Sequence, residues 1–514
     1  MPTLSELRDR WFLKFGPGDA PFPPSRRHTG NPIGNYTDGN HVSLLLDGER
    51  YMEAWISSIL SMHGVAGAEL YHSGWRMEAG RTLGQSKPLS DALDVVVDAH
   101  RAGVDAKLML SRHGGAIFSL INLVTVDWLR VHGVWQACLD NRFPTRGSNH
   151  QKAVCFKNPN GPTAVLGSID ISATRWDRDA HRLVDPERHP RWGAPTHDTG
   201  VLLRGPVVGD VERAFAARWN DSTRTFGLEP VLPPQPFITT PPSSSPPVGP
   251  HSVQPLLTYG ITSKVFGYSW SPRGEFSAWA SYINAIKKAR KYIYIEDQYF
   301  LPFGYPPLFE STGTARESDI VWQLGEAIKR GVKVVVLVPN NAEDSMHAYQ
   351  QHQRDLGVVY LQDVAIGAPG RFLIAWPEVD SSPVYVHSKL LVVDDEFVVI
   401  GSANVCQRSM TFDGELSIGI VDEQERFARE LRAKIWGEHL ERPPATLSDP
   451  DAAIALFEAD AWAKRGRVRL YVPAAANDPP DGHGVMMRRV VDPYGGPPRG
   501  TAVFPPSWEE GEAA

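Results

Sequence analysis

Residues 385–404 read YVHSKLLVVDDEFVVIGSAN. The apolar runs LLVV and FVVI flank the polar triplet DDE, the pattern of two short strands joined by a tight turn. Side chains two apart in a strand project to one face, so His387 and Lys389 point together while Ser388 turns away. The hairpin brings Ser402 and Asn404 beside that pair. An imidazole, a fixed cation and small hydrogen-bonding groups at one strand end suit the binding of one or two phosphate oxygens.

The arrangement recurs in the other half of the chain. Residues 148–156, SNHQKAVCF, set His150 and Lys152 around Gln151, and the following AVLGSID offers Ser168 and Asp170. The surrounding segments also repeat in order. DGERYMEAWISSIL…GAELYHSGW (47–75) runs parallel to RGEFSAWASYINAIKKARKYIYIEDQYF (273–300), each a helical apolar pattern followed by a strand. LSDALDVVVDAHRAGVDAKLMLS (89–111) matches SDIVWQLGEAIKRGVKVVVLVPN (318–340): an amphipathic helix, a glycine stop at Gly103 or Gly331, then an apolar strand. After the histidine segments, 197–220 echoes 414–436 as strand then helix.

Such a pattern predicts an α/β protein of two duplicated halves, each a sheet flanked by helices. A proline- and serine-rich stretch near the middle reads as an extended connector. The expected division is 1–232 for the first half, 233–257 for the linker, 258–442 for the second half and 443–514 for a proline-rich extension. A short helix is expected around 450–464 in that extension.

One imidazole does not suffice for double displacement at a phosphodiester. In-line attack needs a nucleophile on one side of phosphorus and a proton donor at the leaving oxygen opposite. Two half-sites facing each other across a pseudo-two-fold axis supply both, with histidine suited to either role. His150, Lys152, His387 and Lys389 are therefore the catalytic candidates, and Ser168, Asp170, Ser402 and Asn404 the phosphate-binding ones. A carboxylate that orients each ring is also expected, and matching positions in the repeat are Asp198 and Glu415.

Composition narrows the function. A chain of 514 residues is long enough for about three ordinary domains or two large ones. A net charge of -7 gives no general attraction to phosphate backbones, so a dedicated nucleic-acid binder is disfavoured. The amino terminus lacks a secretory signal pattern, and the longest apolar stretch, 116–129, is too short to span a bilayer and contains Asp127. Cytoplasmic residence is the default expectation, though export without a signal would leave no trace in sequence. Cys138, Cys155 and Cys406 fit neither a disulfide scaffold nor a zinc site and read as buried small hydrophobes. There is no metal-ligand spacing, Walker loop or Rossmann fingerprint, and no cofactor is expected.

The string H-x-K-x4-D-x6-G-S-x-N, from His387 through Asp394 and Gly401 to Asn404, resembles the signature of the phospholipase D superfamily. IYIEDQYF (293–300), NVCQRSM (404–410) and GSIDIS with RWD (167–177) are similar to the lipid-cleaving members in particular. The resemblance runs discontinuously from about 45 to 440. It implies two α/β domains sharing one active site at a pseudo-two-fold interface, and cleavage of a head-group phosphodiester through a phosphohistidine. It further implies His150 as nucleophile and His387 as general acid, with Gly167, Gly401 and Asp394 as structural motif positions. The implied partners are a phosphatidylcholine-like phospholipid and a membrane surface touched peripherally, with no nucleic acid and a monomeric chain. A nucleic-acid phosphodiesterase and a catalytically silent lipid-binding module are the alternatives.

One departure stands out. Lys157 occupies the position where the first motif should carry its aspartate, and Asn158 and Gly161 are the residues that could replace that aspartate's turn. Asp170 in place of asparagine is a smaller one. Trp75, Tyr299 and Phe300 are candidates for either pocket walls or core. His72 and His197 are expected to be hydrogen-bonded structural residues, and Arg408 to pair with a carboxylate beneath the site.

Overall fold

The structure is a computed structural model that describes residues 2–14, 33–78, 83–84, 91–112, 116–140, 147–189, 194–222, 235–260, 274–302, 318–340, 347–411, 413–423 and 426–473. The first half contributes β1 (Thr37–Leu46), β2 (Glu69–Gly74), β3 (Asp105–Ser111), β4 (Ala137–Asp140), β5 (Ala153–Lys157), β6 (Thr163–Gly167), β7 (Thr196–His197) and β8 (Thr199–Arg204). The second contributes β9 (His251–Tyr259), β10 (Glu275–Phe276), β11 (Tyr292–Asp297), β12 (Lys333–Leu337), β13 (Phe372–Val379), β14 (Ser382–Pro383), β15 (Tyr385–Val386), β16 (Lys389–Val393), β17 (Phe397–Gly401), β18 (Glu415–Asp422) and β19 (Val468–Leu470).

The two sheets share one strand order. In the first, β1-β8-β6-β5-β2-β3-β4 lie side by side. In the second, β9-β18-β17-β16-β11-β12-β13 do, with β19 added at the outer edge. Only the last two pairings of each seven-strand series are parallel. Those pairings need crossovers, and the amphipathic helices Ala92–Arg101 and Ile320–Lys329 provide one in each half. Asp91 and Asp319 cap the two helices by accepting from the N–H groups of Leu93 and Val321. Gly103 and Gly331 end the connection in the left-handed region, as the sequence pattern predicts.

Apolar side chains of both halves meet in one central core, where Leu166 and Val201 join Val253, Val392 and Ile418. The outer faces are covered by helices within each half. Among the described residues no helix is long and apolar enough to cross a membrane.

Two features differ from the sequence reading. The segment 251–257, read as connector, is most of the buried strand β9, which pairs with β18 along its whole length and touches β1 at Thr37 and Asn40. Its run HSVQPLLTY carries a proline, a residue that argues against a central strand, yet Pro255 sits opposite Ile418. The amino-terminal helix Leu4–Trp11, numbered with the first half, packs on the second: Trp11 stacks on Phe397 at 5.6 Å and Arg10 pairs with Glu396. The helix expected at 450–464 is present as Pro450–Ala463, while the extension beyond 473 lies outside the described residues.

Candidate active site

The hairpin turn forms where DDE stands. Asp394 and Asp395 adopt left-handed φ of 57° and 60°, which short polar side chains tolerate. The Asp394 carboxylate accepts from the N–H groups of Arg290, Lys291 and Tyr292 at 2.8–2.9 Å, clamping the start of β11 far from the histidine end of β16. At the matching place in the first half, Asn158 donates to the Ser61 carbonyl at 3.0 Å, tying the β5–β6 hairpin to the end of helix Asp47–Leu60. Lys157 instead pairs with Glu69 at 3.0 Å and lies over the Tyr71 ring. The departure from the motif thus falls on a hairpin tie.

Gly167 and Gly401 close strands against their neighbours. A Cβ at Gly167 would stand 2.5 Å from the Gly200 Cα, and one at Gly401 would stand 2.3 Å from the Ser417 Cα. Any side chain there would push apart β6 from β8, or β17 from β18.

Two short parallel contacts between the halves build the site. β7 pairs with β15 through Thr196↔Tyr385 and His197↔Val386, so the next residues, Asp198 and His387, emerge together. An isolated parallel bridge joins Asn149 to Gly414, so His150 and Glu415 emerge together. The pairing is crossed: each histidine meets the carboxylate of the opposite half. His150 Nδ1 lies 3.0 and 3.1 Å from the two Glu415 oxygens. His387 Nδ1 lies 3.2 and 3.1 Å from those of Asp198. A carboxylate at Nδ1 fixes the tautomer and leaves Nε2 for chemistry.

Ser168 and Ser402 serve the carboxylates. The Ser168 hydroxyl donates to Asp198 and the Ser402 hydroxyl to Glu415, and each accepts a backbone N–H, from Thr199 and Leu416. Both hydroxyls, expected from the sequence to meet phosphate, are thus turned onto the carboxylates. Asn404 is wholly buried with neither its amide nitrogen nor its oxygen hydrogen-bonded. Asp170 accepts from the N–H groups of Trp75 and Arg76 and pairs with Lys152 at 3.2 Å. Lys389 donates to the Gln298 side chain at 2.9 Å and to the His387 carbonyl.

Burial sets the proton affinities. Burial first, then the cations Lys152 and Lys389, holds the His150 pKa well below the usual imidazole value. His387 is lowered likewise by burial, then by Arg175 and Lys389. Glu415 is pushed up to about 7 by burial, and Asp198 is raised for the same reason. Burial pulls Lys389 down to about 7. Asp170 goes the other way: burial would raise it, but Lys152 and His150 outweigh that. Both imidazoles are thus neutral before an anion arrives. The His150 side chain is 12% exposed and that of His387 only 3%, so the site opens on the His150 side.

Several neighbours lie in the family-like strings or beside them, but their roles carried no local signal. Arg175 lies 5.9 Å from the centre of the Tyr385 ring, which stacks on His387. Gln298 holds Lys389, and Asp413 accepts from the Ser148 N–H while pairing with Arg408 at 2.6 Å. Trp75 meets His150 edge-on at 6.2 Å, and Phe300 is core. His197 is buried in a cluster with Asp47, His181, Glu296, Glu438 and His439, directly behind the Asp198–His387 pair. His72 is buried beside Trp55, with its Nδ1 unbonded.

Comparison with known proteins places this geometry. A family model described as cardiolipin synthase, PLD-like domain, matches residues 282–437. Phospholipase D alpha 1 of Zea mays is 25% identical over 423 residues, 63% of this chain and 50% of that protein. Phospholipase D A of Dictyostelium discoideum is 27% identical over 377 residues, 58% of this chain and 27% of its own length. The chain spans about half the length of the plant relatives it matches. In fold it resembles phosphatidylserine synthase of Haemophilus influenzae, with a TM-score of 0.52 at 12% identity, covering 84% of this chain and 96% of that one. The domain match and these relatives together make the chain similar to the phospholipase D superfamily of phosphodiesterases.

Proposed function

We propose that the protein is a phospholipase D that cleaves the head-group phosphodiester of phosphatidylcholine-like glycerophospholipids, releasing the alcohol and leaving phosphatidic acid. The observation that carries the reading is the crossed pair of imidazoles, each with Nδ1 on a carboxylate and Nε2 left for phosphorus chemistry. The run of likeness to phospholipase D proteins supports the lipid substrate. A net charge of -7 weighs against a nucleic-acid one.

In this reaction His150 Nε2 attacks phosphorus while its Nδ1–H stays on Glu415. The P–O bond to the head group breaks, and His387 Nε2–H protonates the departing oxygen, with Asp198 steadying the ring. Burial keeps His387 neutral in the free protein, so the phosphodiester's own negative charge supplies the field that loads it with a proton. Lys152, Lys389 and the Asn404 amide offset charge on the non-bridging oxygens. His387, now neutral, takes a proton from water, and the hydroxide displaces His150 from phosphorus. An alcohol in place of water gives transphosphatidylation. Leu120 and Val124, one turn apart and 59% and 58% exposed, sit on the helix whose Asn122 holds the Trp75 carbonyl, and form the peripheral membrane contact.

Phosphatidylcholine vesicles with ethanol test the proposal. Choline and phosphatidylethanol are expected from wild type and from neither His150→Ala nor His387→Ala. Hydrolysis of single-stranded DNA with no product from vesicles would replace the lipid reading with the nucleic-acid one.

A further inference from the structure

Asp47, His181 and His197 of the first half meet Glu438, from helix Arg426–Leu440 of the second. All four side chains are nearly or wholly buried, Glu438 being the most exposed at 6%. One donor atom of each lies within 4.8 Å of all the others. His181 Nε2 is 2.9 Å from Glu438 Oε1 and 3.7 Å from Asp47 Oδ2. His197 Nδ1 is 3.2 Å from Glu438 Oε1 and 3.3 Å from Asp47 Oδ1. Donors around a tetrahedral ion at about 2.1 Å stand roughly 3.4 Å apart, and these separations, in which Asp47 offers either oxygen, bracket that value.

Hydrogen bonding accounts for the cluster only in part, through the contact of His181 Nε2 with Glu438 Oε1. His197 Nδ1, Asp47 Oδ2 and Glu438 Oε2 are buried without a hydrogen-bond partner, although the first lies close to two carboxylates. Orphaned buried polar atoms are costly unless something else satisfies them. The outer nitrogens, by contrast, are well placed. His181 Nδ1 contacts Asp177 at 2.9 Å and His197 Nε2 contacts Glu296 at 3.1 Å. A carboxylate on the far nitrogen turns the lone pair of the near one inward, the arrangement that supports metal-bound histidine. Charge leads to the same place. Asp47, Asp177, Glu296 and Glu438 are offset by two guanidiniums, Arg188 on Asp177 and Arg467 at 4.0 Å from Glu438. The two negative charges that remain are met by ring protons when no ion is bound: against burial, Asp47 and Asp177 raise His181 to about 10, and Glu296 with Asp47 and Glu438 raises His197 well above the usual imidazole value. A bound dication would take the place of those two protons.

We propose that His181, His197, Asp47 and Glu438 bind one divalent transition-metal ion of the zinc class, as a structural bridge between the halves. Two nitrogen and two oxygen donors suit such an ion, and its charge cancels the residue left by the carboxylates. The bridge supports the site, because Asp47 Oδ1 also accepts the Asp198 N–H at 3.2 Å and the His197 carbonyl accepts the His387 N–H at 2.8 Å. The ion touches no reacting atom; its role is to hold Asp198 and His387 in place.

The test measures metal on the purified full chain from zinc-supplemented medium, by inductively coupled plasma mass spectrometry after dialysis. About one ion per chain is expected, with Tm falling on chelation and recovering on added Zn2+. Co2+ in its place should show the visible absorption of a tetrahedral site. His181→Ala and Glu438→Gln should lose the ion, and His132→Ala, outside the cluster, should keep it. Asp177→Asn covers the case in which those variants do not fold, with zinc binding weakened about 10–100-fold. A chain that takes up no zinc or cobalt, its carboxylates balanced by two imidazolium protons, would overturn the proposal. So would full stoichiometry in the ligand variants.

Discussion

The two half-sites share strand order, hairpin and crossed carboxylate, yet differ in charge. In the first, Lys152 is neutralised by Asp170, and Trp75 borders the ring. In the second, Lys389 donates to the neutral Gln298 amide, and Asn404, the counterpart of Asp170, has an unbonded side chain. A phosphate oxygen entering the second half finds an amide without a hydrogen bond and a lysine held by the Gln298 amide, on which Asp198 and Asp297 act only through space. In the first it competes with a carboxylate. The two halves thus share the histidine–carboxylate geometry and differ in what surrounds the lysine.

The largest expected effect probes what the halves share. His150→Ala or His387→Ala should lower activity by about 10^4-fold or more, because each removes a group that makes or breaks the bond. Measured kcat/KM on a soluble phosphodiester checks it; a single-histidine loss under tenfold would break the shared-site account.

Lysine replacement probes what they do not share. Lys389→Met should cost about 10^2–10^3-fold, the range for losing one preorganised charge, and Lys152→Met about tenfold less. Equal losses would mean that Asp170 does not temper Lys152. Next come the crossed acids, each expected to cost about 10–100-fold. Asp198→Asn should be relieved by an acidic nitrophenyl leaving group, since it weakens the group that protonates the alcohol, whereas Glu415→Gln should not. Relief of both or neither would uncross the assignment.

The pH profile is a smaller effect. Lys389, at about 7 through burial, is charged below that pH in the free protein and neutral above it. kcat/KM should therefore fall as pH rises through about 7. An alkaline limb absent up to pH 9 would contradict that environment. Smallest of all, Lys157→Asp should change kcat/KM less than about threefold, because its place is a hairpin tie.

Much of this was legible in residues 385–404 and their repeat. Alternation placed His387 beside Lys389, glycine stops marked Gly103 and Gly331, and the turn fell on Asp394 and Asp395. The crossing of Asp198 and Glu415 was not legible, because local periodicity says nothing about which half a strand end meets. Ser168 and Ser402 resembled phosphate donors for the same reason: the carboxylates that take their hydroxyls lie 30 and 13 residues away. β9 was hidden by the prolines preceding it, and Pro255 within it is tolerated by tertiary context. The donors around His197 span Asp47 to Glu438 with no ligand spacing, so only folding unites them.

The most direct test of the central claim is to quench wild-type protein during turnover of a short-chain phospholipid and locate the covalent adduct by peptide mass spectrometry. One phosphatidyl group on His150, persisting in His387→Gln and absent from His150→Gln, is the predicted result. An adduct on His387, or steady turnover with no adduct on either histidine, would contradict it.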